Sequence, residues 1–377
     1  MRVDELSIQN FRNLADPVFR ADPRINIIFG NNAQGKTNLM EALWLFTGNR
    51  SFRGAREAEM IAFGKQSARL QVNFECNGRD QTAQLMLGER KKNHLNQVPV
   101  KTVSEFAGRY YAVVFSPSDL SFVKDGPEKR RRFLDIAIAQ IKPVYQKYLN
   151  QYNRVLIQRN ALLKDLYNHP SLEATVDLWD EQLAKLGTIL TGFRMDYLKK
   201  LNGFAGRIYE GIAGGAEQAE FLYRSTVFEE ELNAGGYTDE AVGRYAGMLA
   251  TQREEDKKLG STSVGVHRDD IEVKINGFPA RQYGSQGQQR SCVLALKLGE
   301  SELLRHVTGE SPVMLLDDVM SELDPSRQDY ILNHLENQQV FLTCCDVSNT
   351  LRLKSGSIYR VEDGRISAED SPPRYCD

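Results

Sequence analysis

Eight consecutive residues combine two glycines with a lysine and a hydroxyl side chain: Gly30, Asn31, Asn32, Ala33, Gln34, Gly35, Lys36 and Thr37. Glycines in such a loop let the backbone curl until successive N–H groups point inward, where they can hold phosphate oxygens. Lys36 can then reach the outer phosphates of a nucleoside triphosphate, and Thr37 can bind Mg²⁺. The spacing therefore predicts a phosphate-binding loop, and the alternative is a glycine-rich turn with a chance Lys-Thr pair.

Two neighbouring carboxylates, Asp317 and Asp318, end an apolar run that starts at Pro312. An ionised Asp317 at the end of a buried strand is tolerable if it holds the water shell of Mg²⁺. Because side chains alternate along a strand, Asp318 points to the opposite side, where it can orient or deprotonate the attacking water. We interpret the pair as metal-binding and catalytic carboxylates, and the alternative is a strand that simply ends in polar residues.

The stretch from Gly284 to Arg290 precedes a long amphipathic helix. Ser285 and Gln288 have the spacing of a capping box, which is the purely structural interpretation. A helix start also attracts anions through its free N–H groups and its dipole, and Gly287 permits close approach of a ligand. We therefore expect Ser285, Gly287 and Gln288 to contact phosphate.

A sheet and a following helix must position these side chains. Residues 25–29 predict a buried strand before the phosphate loop, residues 38–46 predict a helix after it, and residues 111–115 predict another strand. Residues 68–98 alternate between apolar and polar, with Asn77-Gly78 as a hairpin turn, so we expect an antiparallel sheet appended to the core. Strand signals return at residues 263–266 and 271–275.

Between these parts the apolar period becomes helical. Lys129 to Arg132 open one helix, Pro143 can start another, and a third stripe runs from Leu172 to Ile208, on the order of 55 Å long at 1.5 Å per residue. We predict an α/β fold: an ATPase core with the appended antiparallel sheet and an all-helical arm or lid domain. The predicted parts are residues 1–122 with the phosphate loop, the arm at 123–255, and residues 256–377 with the remaining motifs.

The formal net charge is −2, but residues 124–164 carry +7 and residues 217–256 carry −7. A cationic face is what binding to the DNA backbone requires. Candidate DNA contacts are Arg53, Arg56, Lys129, Arg130, Arg131 and Arg132. The alternative is that the two oppositely charged segments are solvated or pair with each other.

The five cysteines are scattered and lack Cys-x-x-Cys spacing, so they suggest neither a disulfide framework nor a zinc site. The first residues carry acidic side chains where a secretion signal would be apolar, and no run is long enough to span a bilayer. We expect a cytoplasmic protein with reduced thiols.

Taken in order, four motifs resemble the core of the ABC-type ATPases: residues 30–37, residues 285–288, Asp317-Asp318, and the loop Ser321-Glu322-Leu323-Asp324. Asp324 also suits a helix N-cap and Pro325 a first helical position. Residues 8–13, residues 114–117, His267-Arg268-Asp269-Asp270 and the modest arm resemble, within that class, the RecF family of bacterial DNA-repair proteins. The likeness covers nearly the whole chain.

The resemblance implies ATP and Mg²⁺ as cofactors, slow ATP hydrolysis, and head-to-tail homodimers in which residues 285–288 of one subunit close on nucleotide held by the other. It implies nucleotide contacts from Arg12, Asn13 and Asn38, and a dimer loop that contains Ser321 and Asp324. It further implies binding to double-stranded DNA, duplex junctions or gaps, and action with RecR and RecO to load RecA onto single strands.

The chain departs from the general ABC ATPase pattern at four places. Gly284 and Gln286 replace Leu and the first Gly of the transporter signature Leu-Ser-Gly-Gly-Gln. Asp318 stands where many ABC ATPases have Glu, and the shorter side chain is consistent with slow hydrolysis. Cys344-Cys345-Asp346 stands where a switch His is expected, and no obvious glutamine follows Phe115.

Three other protein classes use a phosphate loop. An SMC-like chromosome-organising ATPase is the main alternative, but its coiled arms would be several times longer. A membrane transporter's motor subunit is disfavoured by the altered signature and by the helical arm. A small-molecule kinase has no use for a signature helix so far along the chain from its phosphate loop.

Overall fold

The computed structural model of the chain describes residues 1–88, 92–166, 168–230, 232, 237–345 and 356–369. The chain divides into two compact units. The first unit combines Met1–Ser121 with Val293–Asp377, and the second unit is Phe122–Cys292.

A mainly parallel sheet forms the centre of the first unit, and its strands follow the spatial order β15-β14-β3-β13-β12-β8. The strands are β3 (Ile25–Phe29), β8 (Ala112–Phe115), β12 (Val313–Asp317), β13 (Val340–Cys344), β14 (Ser357–Glu362) and β15 (Arg365–Glu369). Only β15 pairs in the antiparallel direction within this described sheet. Every residue of β8, β12 and β13 is buried, which explains why these strands are continuously apolar rather than alternating.

The helices of the first unit include α1 (Lys36–Trp44), α2 (Glu57–Met60) and α9 (Pro325–His334). Short 3₁₀ turns cover 45–47, 103–106, 117–121 and 320–322. Asp324 caps α9 by accepting the N–H of Arg327 at 3.1 Å, and Pro325 is the first helical residue, so both predictions for this helix start are confirmed.

The predicted antiparallel sheet is also present in the first unit, with the strand order β2-β1-β4-β5-β6-β7. Its strands are β1 (Arg2–Gln9), β2 (Val18–Arg20), β4 (Ser67–Cys76), β5 (Arg79–Gly88), β6 (Asn93–Leu95) and β7 (Val98–Val100). Asn77 and Gly78 join β4 to β5 with φ angles of 54° and 65°, the backbone region that a tight hairpin turn needs. The hairpin prediction is therefore confirmed.

Long helices dominate the second unit: α3 (Pro127–Ile141), α4 (Pro143–Asp165), α5 (Val176–Ile212) and α6 (Asp239–Leu259), with a 3₁₀ turn at Pro170–Thr175. Helix α5 packs against both α4 and α6. Its 37 residues span about 55 Å, as the apolar stripe predicted. Gly187 permits the close approach of α6, because a Cβ there would lie 2.4 Å from the Tyr245 ring.

The second unit differs from the predicted arm because it also contains strands. Strand β9 (Ala219–Arg224) pairs with β10 (Asp270–Ile275), and β10 pairs with β11 (Phe278–Pro279). This pairing ties residues beyond 255 to the helices, so the unit extends to Cys292 and is not entirely helical. The sequence analysis predicted neither α6 nor the short strand β9, whose pairing partner β10 lies far along the chain.

The strand predicted at residues 263–266 is wrong. Gly265 has φ 119°, and a Cβ there would lie 2.1 Å from the Tyr245 hydroxyl oxygen. The backbone turns here to approach buried tyrosines, so the apolar alternation reflects burial rather than an extended strand.

Helix α7 (Ala280–Tyr283) leads into α8 (Gln286–Thr308), which begins in the second unit and continues into the first. Within the described residues, no helix combines the length and apolarity needed to cross a membrane.

Candidate nucleotide-binding site

The loop between β3 and α1 has the backbone that a phosphate cradle requires. Gly30 and Gly35 have φ angles of 151° and 121°. A Cβ at Gly30 would lie 2.3 Å from the Val361 carbonyl oxygen, and one at Gly35 would lie 2.8 Å from Leu14 Cδ2. Both positions therefore need glycine for conformation and for space.

Lys36 begins α1 and folds back over this loop. Its Nζ donates to the carbonyl oxygens of Gly30 at 2.6 Å and Asn31 at 3.0 Å, and the residue is only 6% exposed. The side chain of Gln34, also in the loop, is fixed by a hydrogen bond, since its Oε1 accepts the Asp363 N–H at 2.5 Å. The ammonium group is thus positioned over the loop by the backbone that would bind phosphate.

Thr37 connects the phosphate loop to the first acidic residue. Thr37 Oγ1 donates to Asp317 Oδ1 at 2.9 Å, and Thr343 Oγ1 donates to the same oxygen at 2.9 Å. Burial raises the pKa of Asp317, and the two hydroxyl donors oppose that rise. Sequence reasoning missed Thr343, which stands in β13 as one polar residue of an apolar strand.

Asp318 lies beyond the end of β12, where φ is 51°. The direction of its side chain is therefore set by a left-handed backbone rather than by strand alternation. Its N–H donates to Thr343 Oγ1 at 2.8 Å, and its carbonyl oxygen accepts from Ser321 Oγ at 2.8 Å. The half-buried Asp318 lines the same cavity as Thr37.

The cavity beside the loop has a volume of about 680 Å³, within the usual range for small-molecule sites. It is lined by Arg12, Asn13, Asn32, Ala33, Gly35, Lys36, Thr37, Asn38, Arg53, Ala58, Glu59, Ile61, Phe63 and Asp318. The predicted residues Gly30, Asn31, Gln34 and Asp317 are not among these lining residues. Asp317 is buried, Gly30 and Gln34 are half-buried and Asn31 is exposed, and all four support the loop through the hydrogen bonds described above.

Glu41 anchors the arginines at this cavity, although the sequence analysis did not single it out. This carboxylate in α1 is fully buried and accepts from Arg12 Nε at 2.8 Å and Arg12 Nη2 at 3.0 Å. Ser51 Oγ also donates to it, and Arg53 Nη1 lies 4.0 Å away. An acidic residue on the buried face of an otherwise apolar helix is the signal that could have identified it.

Two asparagines complete the wall. Asn13 Nδ2 donates to the Ala33 carbonyl oxygen at 2.9 Å, and Asn38 Nδ2 donates to Asn13 Oδ1 at 2.6 Å. Arg53 Nη1 donates to Asn38 Oδ1 at 2.9 Å. Arg53 is therefore part of the cavity wall, which favours contact with nucleotide over contact with DNA for this residue.

Cys345 lies where the switch histidine was expected. Its Sγ is 3.1 Å from Asn32 Oδ1 and 3.7 Å from Lys36 Nζ. Asp346 lies outside the described residues. A thiol beside the phosphate loop can hydrogen-bond but carries no fixed charge, unlike a protonated histidine.

The signature turn, Ser285 to Gln288, lies at the start of α8 in the second unit. Ser285 N donates to Gln288 Oε1 at 2.8 Å, and Gln288 N donates to Ser285 Oγ at 3.2 Å, so the capping box is confirmed. Ser285 is exposed, while Gly287 and Gln288 are half-buried. The turn thus presents the capped start of a 23-residue helix to the surface.

The basic residues around Lys129 that were predicted to contact DNA differ in their exposure and in their partners within the protein. Arg130 is 3% exposed, and its guanidinium group donates to both carboxylate oxygens of Asp270 and to two backbone carbonyl oxygens. We therefore withdraw Arg130 as a DNA contact, because it stabilises the second unit from inside. Arg131 donates to the Asp269 carbonyl oxygen, and Lys129 pairs with Asp125 at 2.5 Å.

The side chains of Arg56, Lys129 and Arg132 are exposed. The positive charge of residues 124–164 is reduced further at Arg159, which is fully buried and pairs with Asp180 and Asp256. Sequence counting could not distinguish such buried cations from those at the surface.

The donor set fits Mg²⁺ bound together with phosphate. Among the residues that the structure describes, no group of three or more His, Cys, Asp or Glu side chains could hold a metal by itself. Mg²⁺ commonly takes one or two protein oxygens and completes its shell with phosphates and water. The Thr37 hydroxyl and the Asp317 carboxylate provide such a pair.

Known proteins are similar to this chain over nearly its whole length. The family described as the RecF/RecN/SMC N terminal domain matches residues 2–363. The DNA replication and repair protein RecF of Ruminiclostridium cellulolyticum is 38% identical over 371 residues, which cover 97% of this chain and 99% of that protein. RecF of Alkaliphilus oremlandii is 39% identical over 370 residues, covering 97% and 100%.

Solved structures of known proteins also superpose on this chain. The recombination mediator protein RecF-ATPrS of the RecFOR pathway superposes with a TM-score of 0.90 at 34% identity and covers 97% of both chains. The Smc head domain of Pyrococcus furiosus superposes with a TM-score of 0.55 at 14% identity, covering 98% and 96% of the two chains. The second likeness concerns the fold alone.

Proposed function

Since this chain belongs to the RecF/RecN/SMC family, and within it to the RecF proteins, we propose that it is an ATP-gated DNA clamp of recombinational repair. ATP joins two copies head to tail, the paired surface grips DNA at gaps or duplex junctions, and slow hydrolysis releases it. With RecR and RecO, the clamp helps to load RecA onto single strands.

The observation that carries this proposal is the hydrogen bond between Thr37 and Asp317. It brings the phosphate loop and the acidic strand end to one cavity, although they are far apart in sequence. A similar protein is described as RecF-ATP, and it superposes with a TM-score of 0.89. This likeness supports ATP as the nucleotide bound in the cavity.

Each residue has a role in turnover. The inward N–H groups of the loop and the Lys36 ammonium group bind the outer phosphates, and Thr37 with Asp317 would hold Mg²⁺. Bound Mg²⁺ supplies positive charge to the phosphate oxygens. Asp318 orients or deprotonates the attacking water from the cavity wall. Arg12 and Arg53, fixed by Glu41, add positive charge at the cavity.

Two surfaces support dimerisation. The exposed Ser285 lies at a helix start, where the positive end of the helix dipole attracts an anion. The loop from Ser321 to Asp324 is exposed at Ser321 and Asp324 and is bonded directly to Asp318. We assign the first surface to the γ-phosphate of ATP held by a second copy, and the second surface to contact between subunits.

DNA binding is assigned to exposed cations, with Arg56, Lys129 and Arg132 as the leading candidates and the half-exposed Arg131 beside them. Binding through phosphates must weaken steeply with salt, because counterions are released from the DNA backbone. Purified protein should be titrated against duplex, single-stranded and gapped DNA, with and without ATP, across a salt series. ATP-dependent and salt-sensitive binding supports the clamp, and binding that is indifferent to ATP contradicts it.

A further inference from the structure

Glu217 joins the end of α5 to the signature turn. Its Oε2 accepts a hydrogen bond from the hydroxyl of Tyr209 at 2.7 Å, and its Oε1 accepts one from Gln288 Nε2 at 2.7 Å. Tyr209 is fully buried in the last turn of α5, so it is a fixed donor. The carboxylate therefore connects the long arm helix to a residue of the candidate γ-phosphate site.

The backbone on both sides holds Glu217 in place. Helix α5 ends through Gly214 and Gly215, which have φ angles of 62° and 80°, and Gly215 N donates to the Glu210 carbonyl oxygen at 2.9 Å. On the other side, Gln218 exchanges two hydrogen bonds of 2.9 Å with Asn276, in the turn that joins β10 to β11. The side chain thus starts from a rigid position.

Both ends of the Gln288 amide are occupied. Its Oε1 accepts the Ser285 N–H at 2.8 Å, while its Nε2 donates to Glu217. Because the two contacts lie on opposite ends of the amide, the orientation of the group is determined. The Glu217 charge also acts on Cys292, one helical turn further along α8. Burial and then the Glu217 charge raise the pKa of its thiol to about 12.

We propose that Glu217 is a positioning residue for the signature turn, holding Gln288 so that Ser285 and the start of α8 stay directed at a phosphate group. This inference rests on the proposed function, in which that phosphate belongs to ATP bound by a second copy. Glu217 does not touch the nucleotide. It acts through Gln288 and the capping box.

The physical reason is the cost of an unpaired donor. Without Glu217, Gln288 Nε2 loses its acceptor, and the amide can rotate away from Ser285 N to find water. The capping box then opens in a fraction of molecules, and each opening must be reversed before phosphate binds. A carboxylate beside a helix start also stabilises that start through the dipole.

The variants Glu217→Gln and Glu217→Ala distinguish loss of the negative charge from loss of the two hydrogen bonds. Glutamine has the same shape, and its oxygen can accept from Gln288 while its amide donates to the Tyr209 hydroxyl. Alanine removes both hydrogen bonds. Glu220→Ala is the matched control, because Glu220 is an exposed acid three residues further along in β9.

Two measurements are needed. The first is hydrogen–deuterium exchange of residues 285–289 in nucleotide-free protein, where Glu217→Ala should exchange faster and both Glu217→Gln and Glu220→Ala should match the wild type. The second is the ATP concentration that gives half-maximal dimer in sedimentation velocity. Glu217→Ala should need about tenfold more ATP, as expected when the hydrogen bond to Gln288, the one of the two that holds the turn, is lost. ATP affinity measured at subunit concentrations too low for dimers should change less than about twofold.

Unchanged exchange in Glu217→Ala overturns the inference, as does a Glu217→Gln variant that is impaired as strongly as Glu217→Ala. If the wild-type protein fails to dimerise with ATP, the head-to-tail mechanism falls, and the exchange measurement still decides whether Glu217 positions the turn. The two failures are therefore distinguishable.

Discussion

The hydroxyl of Thr37 donates to Asp317 Oδ1 at 2.9 Å, and this bond joins the first turn of α1 to the end of β12. Strand β13 separates β12 from β3 in the sheet and contributes Thr343 to the same oxygen. One carboxylate oxygen thus receives two hydroxyl donors in a buried setting. The elements that carry the phosphate loop and the acidic pair are held in register by this contact.

As the pH falls, Mg²⁺-dependent nucleotide binding should begin to weaken at a higher pH than it would if Asp317 had the pKa of an ordinary aspartate. Burial raises the pKa of Asp317, and only the ionised form can hold the metal. Lowering the pH through that raised pKa should therefore reduce Mg²⁺ affinity, by up to about tenfold per pH unit below it. Calorimetric titration of Mg²⁺ into protein with bound nucleotide, from pH 8 to about pH 5, measures this.

Asp317→Asn is the control for this titration, because the amide cannot ionise. Its Mg²⁺ affinity should be low and should vary less with pH than that of the wild type. An equally steep pH profile in the variant would assign the titration to another group.

Asp318→Asn should slow ATP turnover by about a hundredfold or more, the usual range for loss of a general base. Asparagine tolerates the φ of 51° at this position, so the backbone should be preserved. Single-turnover hydrolysis and the lifetime of the ATP-bound dimer are the measurements, and the lifetime should increase. Normal hydrolysis in this variant would remove Asp318 from the catalytic role.

Ser285→Arg should abolish ATP-dependent dimerisation and leave nucleotide binding by a single subunit intact. Ser285 is exposed, so the larger side chain fits in the separate subunit but occupies the place of the partner's phosphate. Loss of the cap itself should cost only about 1 kcal/mol, and Ser285→Ala controls for that loss. A Ser285→Arg protein that still sediments as a dimer with ATP would contradict the sandwich mechanism.

Glu41→Gln should reduce both stability and nucleotide affinity. It leaves the Arg12 guanidinium group without its buried partner, which typically costs about 3 kcal/mol. Trp44 lies in the same helix and reports unfolding of the first unit in urea. Glu5→Gln is the control, since Arg20 in that pair is 84% exposed and its loss should cost less than about 1 kcal/mol.

The second unit should lose stability in mild acid because partial burial disfavours the protonated form of His267. Burial lowers the pKa of His267 to about 4 from its ordinary 6.5, and the ring bonds Tyr152 OH at 2.8 Å and the Thr262 carbonyl oxygen at 3.0 Å. The folded state therefore binds fewer protons than the unfolded state between these pH values. Stability is fully present above about pH 6.5 and falls by up to about 3 kcal/mol towards pH 4.

Trp179 lies in α5 and can follow this unit in a Trp44→Phe background. Urea midpoints at pH 7 and pH 5 should differ less in His267→Gln than in the wild type. His169→Gln is the control, because its side chain is 62% exposed. Equal acid sensitivity in wild type and His267→Gln would show that other groups dominate.

The sequence by itself determined the features that depend only on residues close together in the chain. The phosphate loop needs two glycines, a lysine and a threonine at set spacing between a strand and a helix, and the structure has that arrangement from Ile25 to Trp44. The hairpin at Asn77-Gly78 and the caps at Ser285 and Asp324 are also local, and each is confirmed. The α/β ABC-type core is confirmed as a whole.

Tertiary structure decided everything that depends on which distant residues meet. Arg130 and Arg159 look like surface cations in the sequence, yet each is buried against aspartates more than 20 residues away. The helix pattern could have shown that Glu41 is buried but not that Arg12 is its partner, and Glu217 carries no local signature, because its importance lies in the partner that folding brings to it. Long-range pairing also placed β9 beside β10 and extended the second unit to Cys292. Apolar periodicity along the sequence indicates which face of a helix or strand is buried. The residue that pairs with a buried charge depends on the tertiary fold, because the two are far apart in the sequence.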